Sequence, residues 1–134
     1  MKKMLAAILS TLHFPGWAHA SDAQIEKYAQ MAASAANKHL QKSPPDDGVI
    51  VSIRAHSEGK AVVYESVIAM QPNTTDTERA AWLSANRKAV IAAARPALEQ
   101  DRHYKNGLHF RYRYFDPHGK VIDDFLVNQH ACGD

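Results

Sequence analysis

Hydrophobic positions recur with two different periods along this chain, and the period changes at prolines and glycines. Ile25, Tyr28, Ala29, Ala32, Ala36 and Leu40 lie at helical spacing, a narrow stripe made mostly of alanine. Ser21 with Gln24 fits a capping box at its start, and Ser43-Pro44-Pro45-Asp46-Asp47-Gly48 ends it, so a helix is predicted from Ser21 to about Lys42. Then Val49, Val51, Ile53 and Ala55 alternate with Ile50, Ser52, Arg54 and His56, and Ser57-Glu58-Gly59 turns. The return run, Ala61 to Met70, carries Val63 and Val67 on one face and Val62, Tyr64 and Ile68 on the other. Apolar residues on both faces place this hairpin centrally in a sheet, or under a cover. Thr75 with Glu78 opens a second helix bearing Trp82, Leu83, Val90, Ile91, Ala94 and Leu98, which Pro96 is expected to kink or split near Arg95.

The last stretch is the most legible. Leu108, Phe110, Tyr112 and Tyr114 alternate with His109, Arg111 and Arg113, and Val121 to Val127 run back after Asp116-Pro117-His118-Gly119. That turn has proline and glycine where a type I turn followed by a bulge wants them. If Asp116 faces Gly119, Tyr114 meets Val121, Phe110 meets Phe125 and Leu108 meets Val127 on an aromatic face. The same register sets Arg113 against Ile122, Arg111 against Asp124 and His109 against Leu126 on a mixed face, and a one-residue slip would move Phe125 and Val127 off the aromatic side. Arg111 with Asp124 is then a cross-strand ion pair worth roughly 0 to 1 kcal/mol if exposed. Asp123 falls opposite Tyr112 on the aromatic face, where burial demands a hydrogen-bond partner such as a tyrosine hydroxyl or a helix N-terminus. The order helix, hairpin, helix, hairpin predicts an α+β fold in two layers. The economical form is a four-stranded antiparallel sheet with both helices on one face, because each helical stripe needs an apolar surface to cover.

The N-terminal residues read as an address rather than as fold. Lys2 and Lys3 precede an apolar run from Met4 to Leu12, Pro15-Gly16 breaks it, and Ala18-His19-Ala20 has small residues where a signal peptidase reads them. Cleavage after Ala20 is expected, leaving a single α+β domain over residues 21–134. The run is shorter than the ~20 apolar residues that span a bilayer. No cysteine stands at the cleavage point, so no lipid anchor is expected and the product is placed in the periplasm or outside the cell. Removing Lys2 and Lys3 leaves 14 basic residues against 14 acidic ones, a balance that gives no reason to expect a nucleic-acid or anionic-membrane partner.

Chemistry is sparse. Cys132 is the only cysteine, so it is a free thiol, a link to a second chain in a disulfide-bonded dimer, or the remnant of a lost pair. Of the histidines beyond residue 20, His118 and His130 are separated by nearly a whole strand and cannot share an ion, whereas His103, His130 and Cys132, with His109 nearby, could meet at the open end of the hairpin. Copper or zinc is the cofactor that such donors would take. Adjacent Asp123 and Asp124 point to opposite faces of a strand and form no acid–base dyad. No nucleophile elbow, phosphate loop or placed Cys–His pair is present in the sequence, so an enzyme is the less expected class. Tyr64, His109, Arg111, Arg113 and Phe115 make the arginine-plus-aromatic mixture found at protein contact sites. Arg111→Glu with Arg113→Glu is expected to abolish binding there without lowering thermal stability by much.

The spacing Tyr112-x-Tyr114-x-Asp116-x-x-Gly119-Lys120-x-Ile122-x-x-Phe125-x-Val127, closing with Cys132, resembles the ending of a group of small exported bacterial proteins of unknown function. Some of these form the quorum-sensing-regulated virulence factor family. The resemblance covers residues 83–132 and implies a second cysteine near the end of the preceding helix, paired with the terminal one; residues 92–100 here contain none. It brings no catalytic residues. Two readings follow: an exported, non-catalytic interaction factor (an inhibitor, immunity-like protein, accessory or virulence factor) acting on a protein in the envelope or beyond it, or a small periplasmic metal- or ligand-binding protein.

Overall fold

The computed structural model describes residues 21–46, 48–100 and 102–128. The expected signal segment, His130 and Cys132 lie outside the described residues.

Two helices and four strands follow in the expected order: α1 (Asp22–Lys42), β1 (Ile50–Glu58), β2 (Ala61–Ile68), α2 (Asp76–Gln100), a 3₁₀ turn (Arg102–Asn106), β3 (His109–Phe115) and β4 (Val121–Val127). Both capping boxes form. Ser21 accepts from the Gln24 amide while the Gln24 side chain takes the Ser21 amide, and Thr75 and Glu78 exchange the same pair of bonds. Every member of the α1 stripe is buried, with Ala33 added to it. Pro96 does not split the second helix, which runs unbroken to Gln100. Pro96 and Ala92 are both solvent-exposed, so the carbonyl that loses its bond four residues back is open to water.

The strands lie in the order β1-β2-β3-β4. The two hairpins are antiparallel, as expected, but the pairing between them, β2 with β3, is parallel. The reason is α2: a crossover helix returns the chain to the end of the sheet from which β2 started, which a tight turn cannot do. β2 thereby becomes a central strand paired on both sides, and Val62, Val63 and Tyr64 are each 0% exposed.

The C-terminal hairpin is shifted by two residues from the expected register. Phe110 pairs with Val127, Tyr112 with Phe125, Arg113 with Asp124 and Tyr114 with Asp123. The Gly119 amide does donate to the Asp116 carbonyl, but the strands close on Asp116 and Lys120, with Gly119 at φ +87°. Ile122 is then an extra residue between the Phe115–Val121 and Tyr114–Asp123 pairs. Because the shift is even, the residues of β3 and those of β4 from Asp123 to Val127 keep their predicted faces, whereas the bulge moves Val121 to the outer side beside Phe115 and Ile122 to the inner one.

One row across the inner face runs Ala55, Tyr64, Tyr112, Phe125. Its rings stack, with centroids 5.4 Å apart for Tyr64–Tyr112 and for Tyr112–Phe125. These rings share a single buried cluster with the apolar residues of both helices. α1 is additionally clamped to the edge of the sheet, where Asn37 Nδ2 donates to the Ala55 carbonyl at 2.6 Å and Asn37 Oδ1 accepts the Ala55 amide at 2.8 Å.

Candidate functional site

The opposite face of the sheet carries no described helix, and its strongest feature is a row of alternating charge. Arg54 on β1, Glu65 on β2, Arg113 on β3 and Asp124 on β4 are direct neighbours in register across all four strands. Alternating sign lets each ion face opposite charge on both sides. Arg54 reaches Glu65 at 3.2 Å, and Arg113 lies 3.7 Å from Glu65 and 3.6 Å from Asp124.

Arg113 also makes a fork to Glu58, with Nη1 to Oε2 at 2.8 Å and Nη2 to Oε1 at 3.0 Å. His56 Nε2 sits 2.7 Å from the same carboxylate. The Arg113 fork, joined by His56, pulls the Glu58 carboxyl down to about 2 and pushes the Arg113 guanidinium up. Arg111 forks to Asp124 at 2.9 and 3.0 Å. The expected Arg111–Asp124 ion pair therefore exists, but as a diagonal contact, because Leu126 is the residue directly opposite Arg111.

This lattice changes what the face can do. Both arginines are spent on neighbouring carboxylates rather than offered to solvent, and Val63, flanked in register by His56 and Arg111, is fully buried on this side. The Arg111→Glu, Arg113→Glu pair of substitutions is consequently no clean probe: it would set two more carboxylates among Glu58, Glu65 and Asp124. At one end of this face the row Ser52, Val67, Phe115 meets the β3–β4 turn. A hollow of about 520 Å³ lies there, lined by Arg54, Glu65, Val67, Phe115 and Pro117 among others.

Of the residues singled out in the sequence, Arg111, Arg113, His109 and Phe115 do share this face. His109 Nδ1 is 2.9 Å from the Gly107 carbonyl. Tyr64 does not belong with them: it sits on the inner face in register with Ala55 and Tyr112, and burial raises its hydroxyl pKa. Of the metal candidates His103, His130 and Cys132, His103 is 4% exposed and its ring stacks on Tyr28 at 4.1 Å. No group of three histidine, cysteine or acidic side chains among the described residues is arranged to hold an ion. Asp123 faces Tyr114 rather than Tyr112, and its partner is Arg87 of α2, whose guanidinium also lies 4.7 Å from the centre of the Phe125 ring.

Of the lattice carboxylates the sequence marks Asp124, as the partner of Arg111, but gives no sign of Glu58 and Glu65. Parity alone puts Arg54, His56 and Glu58 on one side of β1, but their meeting with Arg113 needs the strand order.

Neither a family model nor a curated protein matches the chain. Among solved structures it is similar to the type II secretion system pilotin AspS from Vibrio cholerae, with a TM-score of 0.55 at 19% identity, over 83% of this chain and 94% of that one. It is similar also to the pilotin EpsS of the Vibrio vulnificus type 2 secretion system, with a TM-score of 0.53 at 19% identity, over 84% and 98% of the two chains. At that identity the likeness is one of fold, and it extends through nearly the whole of both pilotins.

Proposed function

We propose that this chain is an exported, non-catalytic accessory factor that works by binding a protein in the bacterial envelope, as a component or helper of a secretion machinery. The observation that carries the reading is the shared fold over almost the full length of two secretion pilotins. The molecule itself adds support of a physical kind. Its ionisable groups on the open face neutralise one another in a rigid lattice, an arrangement that fixes a surface and does not poise an acid, base or nucleophile. No described helix is long and apolar enough to cross a membrane.

The test is site-specific photo-crosslinking in the envelope of the native host, with the reactive side chain at Ser52, at His118, or at Ala85 on the solvent side of α2. A discrete adduct from Ser52 or His118 with a component of a secretion system supports the reading. No adduct from any position, with the protein exported and folded, overturns it. So does elemental analysis finding stoichiometric copper or zinc in the purified protein, which would favour the metal-binding alternative instead.

A further inference from the structure

The β3–β4 turn has a second hollow on its other side, of about 300 Å³, and its construction differs from that of the first. β2 and β3 are parallel neighbours joined by α2, so their carboxyl ends open together at this end of the sheet, the place where such crossover units bind ligands. Ile68 closes β2, Met70 follows it, and together with Ile122 they form an apolar floor.

Ile122 is there because of the bulge. In a regular strand it would point to the face opposite Asp123. As the extra residue it turns to the same side, packs against the core and lines the hollow.

The rim is cationic: Arg79 from the first turn of α2, with His118 and Lys120 from the hairpin turn. Asp116 is the one carboxylate in the lining, and its Oδ1 is taken by the amides of His118 and Lys120, each at 2.9 Å. Arg79 also contacts Asp76 at 3.1 Å, an exposed pair along the helix that leaves the guanidinium at the rim. With His118 neutral the lining carries one more positive than negative charge. The hollow on the other side of the turn has the reverse balance, with Arg54 against Glu65 and Asp116. The turn therefore separates a basic pocket from an acidic one.

We propose that this basic hollow is a docking site for an acidic, amphipathic peptide segment, one that places apolar side chains on Ile68, Met70 and Ile122 and carboxylates against Arg79 and Lys120. The inference rests on the accessory reading above and names the chemistry of its partner. Apolar contact supplies the attraction, and the sign of the rim selects the segment.

The isotope-labelled protein is titrated with a short leucine–glutamate peptide and with leucine–glutamine and leucine–lysine counterparts, followed by amide chemical shifts. Saturable shifts at Met70, Arg79, His118, Lys120 and Ile122 are expected, with the glutamine and lysine counterparts at least about tenfold weaker. Arg79→Glu with Lys120→Glu should weaken the glutamate peptide by a similar factor or more, while Arg54→Glu, across the turn, leaves it unchanged. Lys120→Gln alone serves if the double variant does not fold. The absence of binding, equal binding of the glutamine peptide, full binding by Arg79→Glu with Lys120→Glu (or by Lys120→Gln in its place), or an equal loss in Arg54→Glu overturns the proposal. Crosslinks to a secretion component from Ser52 with none from His118 would leave the accessory reading standing and defeat this site.

Discussion

Asn37 offers the sharpest test of how the layers are joined. β1 is an edge strand, so its outward N–H and C=O groups have no strand to pair with. At Ala55 both groups point away from β2 and into the amide of Asn37, which mimics a neighbouring strand with two bonds of 2.8 and 2.6 Å. Asn37→Ala deletes both. At about 1 kcal/mol each the loss is about 2 kcal/mol, because the backbone groups are only partly buried and water can replace part of what is removed. For a domain near 100 residues, 1 kcal/mol moves the melting temperature by about 4 °C, so a drop of about 8 °C is expected. Asn37→Asp at neutral pH keeps an acceptor for the Ala55 amide but sets a carboxylate oxygen against the Ala55 carbonyl, and should fall at least as far. Calorimetry gives the melting temperatures, and hydrogen exchange at the Ala55 amide reports the clamp directly. An Ala variant that melts within about 2 °C of the parent, with Ala55 exchange unchanged, would show that α1 is held by apolar packing alone.

Three further outcomes follow from the packing. Tyr112 buries a hydroxyl with no hydrogen-bond partner among the described residues, so Tyr112→Phe should leave stability unchanged or raise it by about 1 kcal/mol in urea titration; a loss above that would mean the hydroxyl is bonded. Arg87→Met strands the Asp123 carboxylate, 13% exposed, beside aromatic rings, and should cost about 2 to 3 kcal/mol, most of it regained in Arg87→Met with Asp123→Leu; a double variant no better than the single one refutes the pairing. Glu58 is held at about 2 from an ordinary value of 4.5, so its contribution is present above pH 4.5 and is lost as pH falls towards 2. Its side chain is 44% exposed, which limits that contribution to about 1 kcal/mol; Glu58→Gln should flatten this part of the stability–pH profile, and an unchanged profile argues against the fork to Arg113.

Alternation along the last hairpin gives the right face for β3 and for Asp123 to Val127 although the register lies two residues from the expected one, because alternation records parity and not alignment; the bulge, which leaves no such trace, reverses Val121 and Ile122. Tyr64 belongs in the core and not with the surface arginines, and strand parity already sets it beside Val62 and Ile68. The parallel pairing of β2 and β3 carried no local mark, since β2 shows the same residues whichever way its neighbour runs.

Helix starts, strand faces and turn positions could be read from residues one to four apart, since capping bonds and side-chain alternation are decided within a single turn or pleat. The charged row, the Asn37 clamp and the inward-turned Ile122 could not. Glu58 and Arg113 stand 55 positions apart, and only the order in which α2 and the turns lay the strands side by side brings their charges within reach.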